Sequence, residues 1–169
     1  GELTGMAPGA RVRLARGVAT MTGARALLGR VVDALLRPLD GLGPVDETEQ
    51  IPVHTTPPSP LDRAPIEEPM DVGIRAVNAL LTIGRGQRVG LMAGSGVGKS
   101  ALLGMLCRNT SAAYRVVALV GERGREVQDF VERKLTGVRD RTIVIAAPAD
   151  QSPLLRLRAA EVACRLAED

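Results

Sequence analysis

The sequence predicts an α/β fold, a parallel sheet with flanking helices preceded by the end of a small β unit, on three observations. From residue 71 onward, short apolar segments of strand length alternate with amphipathic segments of helix length, the rhythm of a parallel sheet with crossover helices. Seven of the eleven prolines lie between Pro44 and Pro69, a stretch that cannot hold a regular helix or an inner strand. The 169 residues are 45% apolar and 24% charged, a balance that excludes collagen-like, coiled-coil and disordered chains.

The chain divides accordingly into 1–40, 41–70 and 71–169. In the first part, Ala10–Ala15 and Ala26–Leu36 are short apolar stretches punctuated by Gly5, Gly9, Gly17, Gly23 and Gly29, which reads as strands and tight turns. Gly41 and Gly43 mark a turn into the proline-rich connector, where His54 reads as an ordinary exposed side chain. In the third part, Gln87–Met92, Arg115–Val120 and Thr142–Ala147 read as strands, and Lys99–Arg108 and Arg125–Leu135 as helices. Ser152 as N-cap and Pro153 at the first helical position begin a last helix with an apolar face of Leu154, Leu157, Val162 and Leu166. Met92 and Met105 are expected to fill the core, and Arg156, Arg158 and Arg165 to form a solvated face.

Several function classes fall away on composition. No apolar run approaches the roughly 20 residues needed to cross a bilayer, and Gly1–Ala10 lacks the basic head and apolar core of a secretory leader, so the expected compartment is the cytoplasm. Cys107 and Cys164 have no CxxC or Cys/His spacing and are expected to be buried reduced thiols. The net charge is only +3, Lys99 and Lys134 are the only lysines, and the arginines are scattered. With Tyr114 and Phe130 as the only aromatic residues, the chain has few flat side chains on which bases could stack, and no nucleic-acid partner is expected.

One segment carries chemistry on its own terms. Ala93-Gly94-Ser95-Gly96-Val97-Gly98-Lys99-Ser100 follows a predicted strand and opens a predicted helix, the context of a phosphate-binding loop. Its glycines allow main-chain amides from Gly94 to Ala101 to turn inward around a polyphosphate, and the helix start adds the positive end of its dipole. Lys99 brings a cation to the β- and γ-phosphates of a nucleotide such as ATP, and the Ser100 hydroxyl can ligate the bridging Mg²⁺. Ala93 stands where the strict pattern has its first glycine, a position that closes the strand rather than wrapping phosphate.

A second group, Gly121-Glu122-Arg123-Gly124-Arg125-Glu126, follows the next strand. In a parallel sheet that strand tip faces the loop, so Glu122 is positioned to orient an attacking water, Glu126 to reach the metal through a bound water, and Arg123 to balance phosphate charge. The alternative for these six residues is a surface turn whose charges pair with one another at little energetic gain.

AGSGVGKS, VALVGERGREVQDFVE (117–132) and IAAPADQSPLLRLRAAEVACRLAED (145–169) resemble the ATPases of type III protein secretion, flagellar and injectisome alike. LLGRVVDALLRPLDGLGP (27–44) and RAPIEEPMDVGIRAVNALLTIGRGQRVGLMAGSG (63–96) resemble the same family, so the likeness covers essentially the whole chain. The resemblance implies a build like the catalytic subunit of rotary ATP synthases, with an N-terminal β-barrel, a RecA-like core and a helical C-terminal domain in a homohexameric ring. It implies Lys99 and Ser100 for phosphate and magnesium, Glu122 for activation of water, and Arg123 and Glu126 for the surrounding shell. It also implies ATP hydrolysis that releases chaperones and unfolds export substrates. The implied setting is the cytoplasmic face of the inner membrane, with stalk and stator proteins as further partners.

In that family a further strand ending in a metal-ordering aspartate follows, then the helical domain, and an arginine crosses the subunit interface. The chain is therefore expected to be a fragment that holds the phosphate-loop fold and hydrolyses ATP poorly. Two other readings share the loop: a noncatalytic nucleotide-holding ring subunit, against which Glu122 argues, and a hexameric nucleic-acid translocase, against which the scarcity of aromatic residues argues.

Overall fold

The valine- and isoleucine-rich segments pair as neighbours, and the central one buries both faces. In the structure, a computed structural model that describes Gly9, residues 19–94 and residues 96–169, three strands form a parallel sheet. They are β2 (Val31–Val32), β4 (Arg115–Val120) and β5 (Thr142–Ala147), in the order β2-β5-β4. Arg115 pairs with Thr142 and Val120 with Ala147, so β4 and β5 end at the same level and their tips lie side by side. Every residue of β5 is buried, as a central parallel strand requires.

The two faces of β5 are covered by different elements. Ile143, Ile145 and Ala147 pack with Ala159, Val162 and Leu166 of α4 (Pro153–Glu168). On that side Met21 and Ile51 join from a two-stranded antiparallel pair, β1 (Thr20–Thr22) with β3 (Gln50–Pro52). The opposite face carries Val117, Leu119 and Val144 against Cys107 of α2 (Lys99–Asn109) and against Phe130, Leu135 and Val138. Phe130 opens a π-turn, Phe130–Lys134, that continues α3 (Gly124–Asp129). A short helix, α1 (Arg75–Leu80), precedes the glycine loop.

Several expectations need correction. Gln87–Met92 is not a strand, and Val89, Leu91 and Met92 are exposed, Met92 at 93%. A strand exists by hydrogen bonding to a neighbour; β5 is flanked by β2 and β4, and a groove separates the free edge of β4 from Val89. Met92 and Met105 are therefore surface residues rather than core filler. Of Ala26–Leu36 only Val31–Val32 is a strand; a 3-10 turn occupies Arg25–Leu27, and Leu36 has φ 62°. Ala10–Ala15 lies outside the described residues.

The last helix buries half of the expected face, Val162 and Leu166, and turns Leu154 and Leu157 outward. Ser152 caps it through its hydroxyl, which accepts from Leu155 N at 3.4 Å, and Pro153 takes the first position as predicted. Ala159, Val162 and Leu166 are buried, whereas Leu154 and Leu157 are exposed. The same rotation exposes Cys164, while Cys107 is buried as expected. Arg156, Arg158 and Arg165 are partly buried rather than a solvated face, and Arg165 Nε donates to Pro52 O at 2.8 Å. Among the described residues no helix is long and apolar enough to cross a membrane.

Candidate active site

Two backbone features bring the chemistry-bearing residues together. Gly96 and Gly98 have φ of 79° and 99°, in the left-handed region that glycine reaches without strain, and the chain passes from Gly98 directly into α2 at Lys99. Next to it, the β4–β5 ladder continues past the strand ends: Gly121 N donates to Ala147 O at 2.8 Å and Ala149 N donates to Glu122 O at 3.0 Å. Gly121, at φ 75°, makes the bend. Glu122 is thus held by its own main chain at the carboxyl end of the sheet, where ligands of open α/β sheets gather.

The two features form opposite walls of a cleft of about 500 Å³. Lys99, Ser100 and Leu103 of α2 make one wall, and Glu122, Arg125, Glu126 and Asp129 the other. Leu91, Leu119 and Phe130 add apolar lining, and Lys134 closes the base. The Glu122 carboxyl is half-buried and its pKa is raised, first by a hydrogen bond shared with Glu126, then by burial and by the Glu126 charge; Lys99 pulls the other way.

The oxygen donors of Ser100, Glu122 and Glu126 suit a hard cation such as Mg²⁺. Among the described residues no group of three or more His, Cys, Asp or Glu side chains is arranged to hold a metal. A cation here would therefore complete its shell with phosphate oxygens and water, the usual habit of magnesium.

Of the residues singled out in the sequence, Lys99, Ser100, Glu122 and Glu126 share the cleft. Gly94, Gly96, Val97, Gly98 and Ala101 lie on or beside the loop and are exposed, with nothing within 4 Å of a Cβ built at Gly94, Gly96 or Gly98. Ser95 lies outside the described residues. Arg123 is exposed at the N-cap of α3 and does not line the cleft; Arg125 does. Arg125 and Asp129 were missed. Asp129 stands four residues after Arg125 and three after Glu126, the one-face spacing of a helix, which could have grouped them.

A glycine loop feeding a helix, beside a parallel sheet with carboxylates at the neighbouring strand tip, defines the class of phosphate-loop α/β proteins. The family described as "ATP synthase alpha/beta family, nucleotide-binding domain" matches residues 73–169, and the chain belongs to that family. It is 55% identical over 176 residues to the flagellum-specific ATP synthase of Salmonella typhimurium, covering 99% of this chain and 39% of the relative. To the protein of the same name from Bacillus subtilis it is 46% identical over 175 residues, covering 99% and 38%. The chain thus spans about two-fifths of the length of these relatives.

Among solved structures, a prototypical ATPase from the type III secretion system of pathogenic bacteria superposes with a TM-score of 0.81 at 38% identity, covering 89% of this chain and 43% of that one. EscN of enteropathogenic E. coli, assembled with its central stalk EscO, superposes with a TM-score of 0.81 at 40% identity, covering 88% and 37%.

Proposed function

We propose that this chain is the ATP-binding part of an ATPase that powers protein export. The main-chain amides from Gly94 to Ala101, Ser95 among them, cradle the triphosphate, and the Lys99 ammonium neutralises its β- and γ-oxygens. Ser100 would hold Mg²⁺, and Glu126 would reach it through water. The ion supplies charge neutralisation at the phosphates. The Glu122 carboxylate accepts a hydrogen bond from the attacking water and aims it in line with the γ-phosphorus. Arg125 takes the charge-balancing role first assigned to Arg123. The observation that carries this reading is the single cleft shared by Lys99, Ser100, Glu122 and Glu126.

In the full-length protein we assign residues 1–40 to the end of an N-terminal β-barrel, 41–70 to a connector and 71–169 to the first half of a RecA-like core. The antiparallel pairing of β1 supports the first assignment, its partner β3 lying within 41–70. A groove of about 420 Å³ between the free edge of β4 and Val89, lined by Ile83, Leu103, Val116 and Ala118, supports a further strand inserting there. With that strand, Gln87–Met92 would gain its missing backbone partner. The full-length protein is proposed to form a homohexamer at the cytoplasmic face of the inner membrane. There, ATP hydrolysis would release chaperones and unfold exported proteins, with stalk and stator proteins bound. The 55% identity to a flagellum-specific relative, against 38% and 40% for the secretion ATPases, supports flagellar service.

Steady-state ATP hydrolysis by the full-length protein tests the reading. Turnover is expected to fall at least about a hundredfold in Lys99→Ala and to be unaffected by added RNA or DNA. Hydrolysis that survives Lys99→Ala, or that nucleic acid stimulates, would contradict it. The isolated 169-residue chain is expected to hydrolyse no faster than its own Lys99→Ala variant.

A further inference from the structure

The two walls of the cleft meet at its base, and the contact is unusually close. Gly104 is buried on the inner side of α2, and a Cβ added there would lie 2.9 Å from Lys134 Cβ and 3.3 Å from its Cγ and Cδ. Only a residue without a side chain lets α2 approach the π-turn so nearly. One turn further along α2, Arg108 Nη1 donates to Lys134 O at 2.8 Å, capping a carbonyl that the end of a helix leaves without an intrahelical partner. Phe130, at the other end of the π-turn, is buried with Cys107 of α2 and Leu119 of β4. A π-turn inserts an extra residue into a helix, a costly geometry that persists where surrounding contacts hold it and that often borders functional sites.

We propose that Gly104, Arg108 and the π-turn Phe130–Lys134 form a latch that fixes the spacing between the phosphate loop and the glutamate wall, with Gly104 and Arg108 as positioning residues for the reaction. The mechanical route is short. Lys99 and Ser100 begin the helix whose middle carries Gly104; Glu126 stands on the helix that runs into the π-turn, and Glu122 lines the same cleft. A shift of α2 against the π-turn therefore changes the separation of Lys99 and Ser100 from Glu126, while Glu122 stays tied to the sheet by its main chain. Lys134 lines the cleft and lies 4.0 Å from Asp129, so the latch residue is also part of the wall. The inference rests on the proposed ATPase reading for its kinetic consequence but not for the contact itself.

The test uses the full-length protein in wild-type form and as Gly104→Ala, Arg108→Gln, Arg108→Lys and Arg139→Ala, the last an exposed side chain past the π-turn. A spacing error of a fraction of an ångström to one ångström predicts a kcat loss of roughly tenfold to a hundredfold in Gly104→Ala and Arg108→Gln. The Kd for Mg²⁺ with a non-hydrolysable ATP analogue should change by no more than about twofold, because the loop itself is intact. Arg108→Lys, whose donor has a reach closer to that of arginine than the shorter Gln amide, should recover part of the rate, and Arg139→Ala should match wild type. A loss of kcat that tracks the melting temperature across all variants, or equal losses in Arg108→Lys and Arg108→Gln, would overturn the proposal.

A second arm needs no nucleotide. Amide hydrogen exchange across residues 126–135 should quicken in Gly104→Ala and Arg108→Gln and stay unchanged in Arg139→Ala. Equal exchange in all four proteins would refute the latch whatever the kinetics. Failure of the wild-type protein to bind the analogue would instead refute the ATPase reading, with the exchange arm still deciding the latch.

Discussion

Glu122 is costly to keep where it is. Its neighbour Glu126 and its own partial burial raise its pKa, so the folded protein holds that proton more tightly than the unfolded chain. The stability this supplies is full below the unfolded carboxylate value of about 4.3 and is lost as pH rises through the raised folded value. Glu122→Gln, which keeps the shape and removes the charge, is therefore expected to melt higher than wild type at pH 7 in the absence of nucleotide. The two melting curves should converge near pH 4, roughly the unfolded value. Calorimetry across that range checks this, and a variant that melts lower at every pH would contradict the geometry given for the pair. Stability given up for charge at a reaction centre is a common trade.

At the scale of elements, the clearest ion pair is remote from the cleft. Asp40, whose side chain is fully buried, accepts from Arg30 Nε at 2.8 Å, from Val31 N at 2.9 Å and from Leu42 N at 3.1 Å. It thereby ties the 38–44 turn to the start of β2. The Arg30 guanidinium beside it, with those two amides, holds the Asp40 carboxyl well below the usual carboxylate range. A depressed pKa contributes stability that is present above the unfolded value of about 3.9 and is lost as pH falls toward the folded value. Asp40→Asn is expected to cost about 2 kcal/mol at pH 7, read from denaturant midpoints. Its stability should also depend less on pH below about 4 than that of wild type.

The legible and illegible parts of the chain separate by the range of the forces involved. The phosphate loop, α2, β4, β5 and the Ser152-Pro153 helix start depend on local sequence: glycine conformations, capping chemistry and apolar runs rich in valine and isoleucine. Gln87–Met92 has the same apolar signature, yet it is not a strand, because pairing needs a partner that periodicity cannot supply. Half of the face of α4 was misjudged for a related reason. Two stripes on that helix carry leucine, and only the packing against Ile143 and Ile145 selects Ala159, Val162 and Leu166 over Leu154 and Leu157. At the site, Lys99, Ser100, Glu122 and Glu126 were readable from motif and topology, whereas Arg125 replaces Arg123 because the direction of α3 was not.

For the whole molecule, the central claim is a division of labour across one cleft: the loop and Lys99 bind the nucleotide, and the carboxylate on the opposite wall directs the water. The measurement that separates these roles is the paired determination of kcat for ATP and Kd for Mg²⁺ with an ATP analogue in full-length Glu122→Gln. The account predicts that kcat falls at least about a hundredfold while Kd stays within about twofold of wild type. A variant that keeps its kcat, or that loses nucleotide affinity in step with turnover, would contradict it.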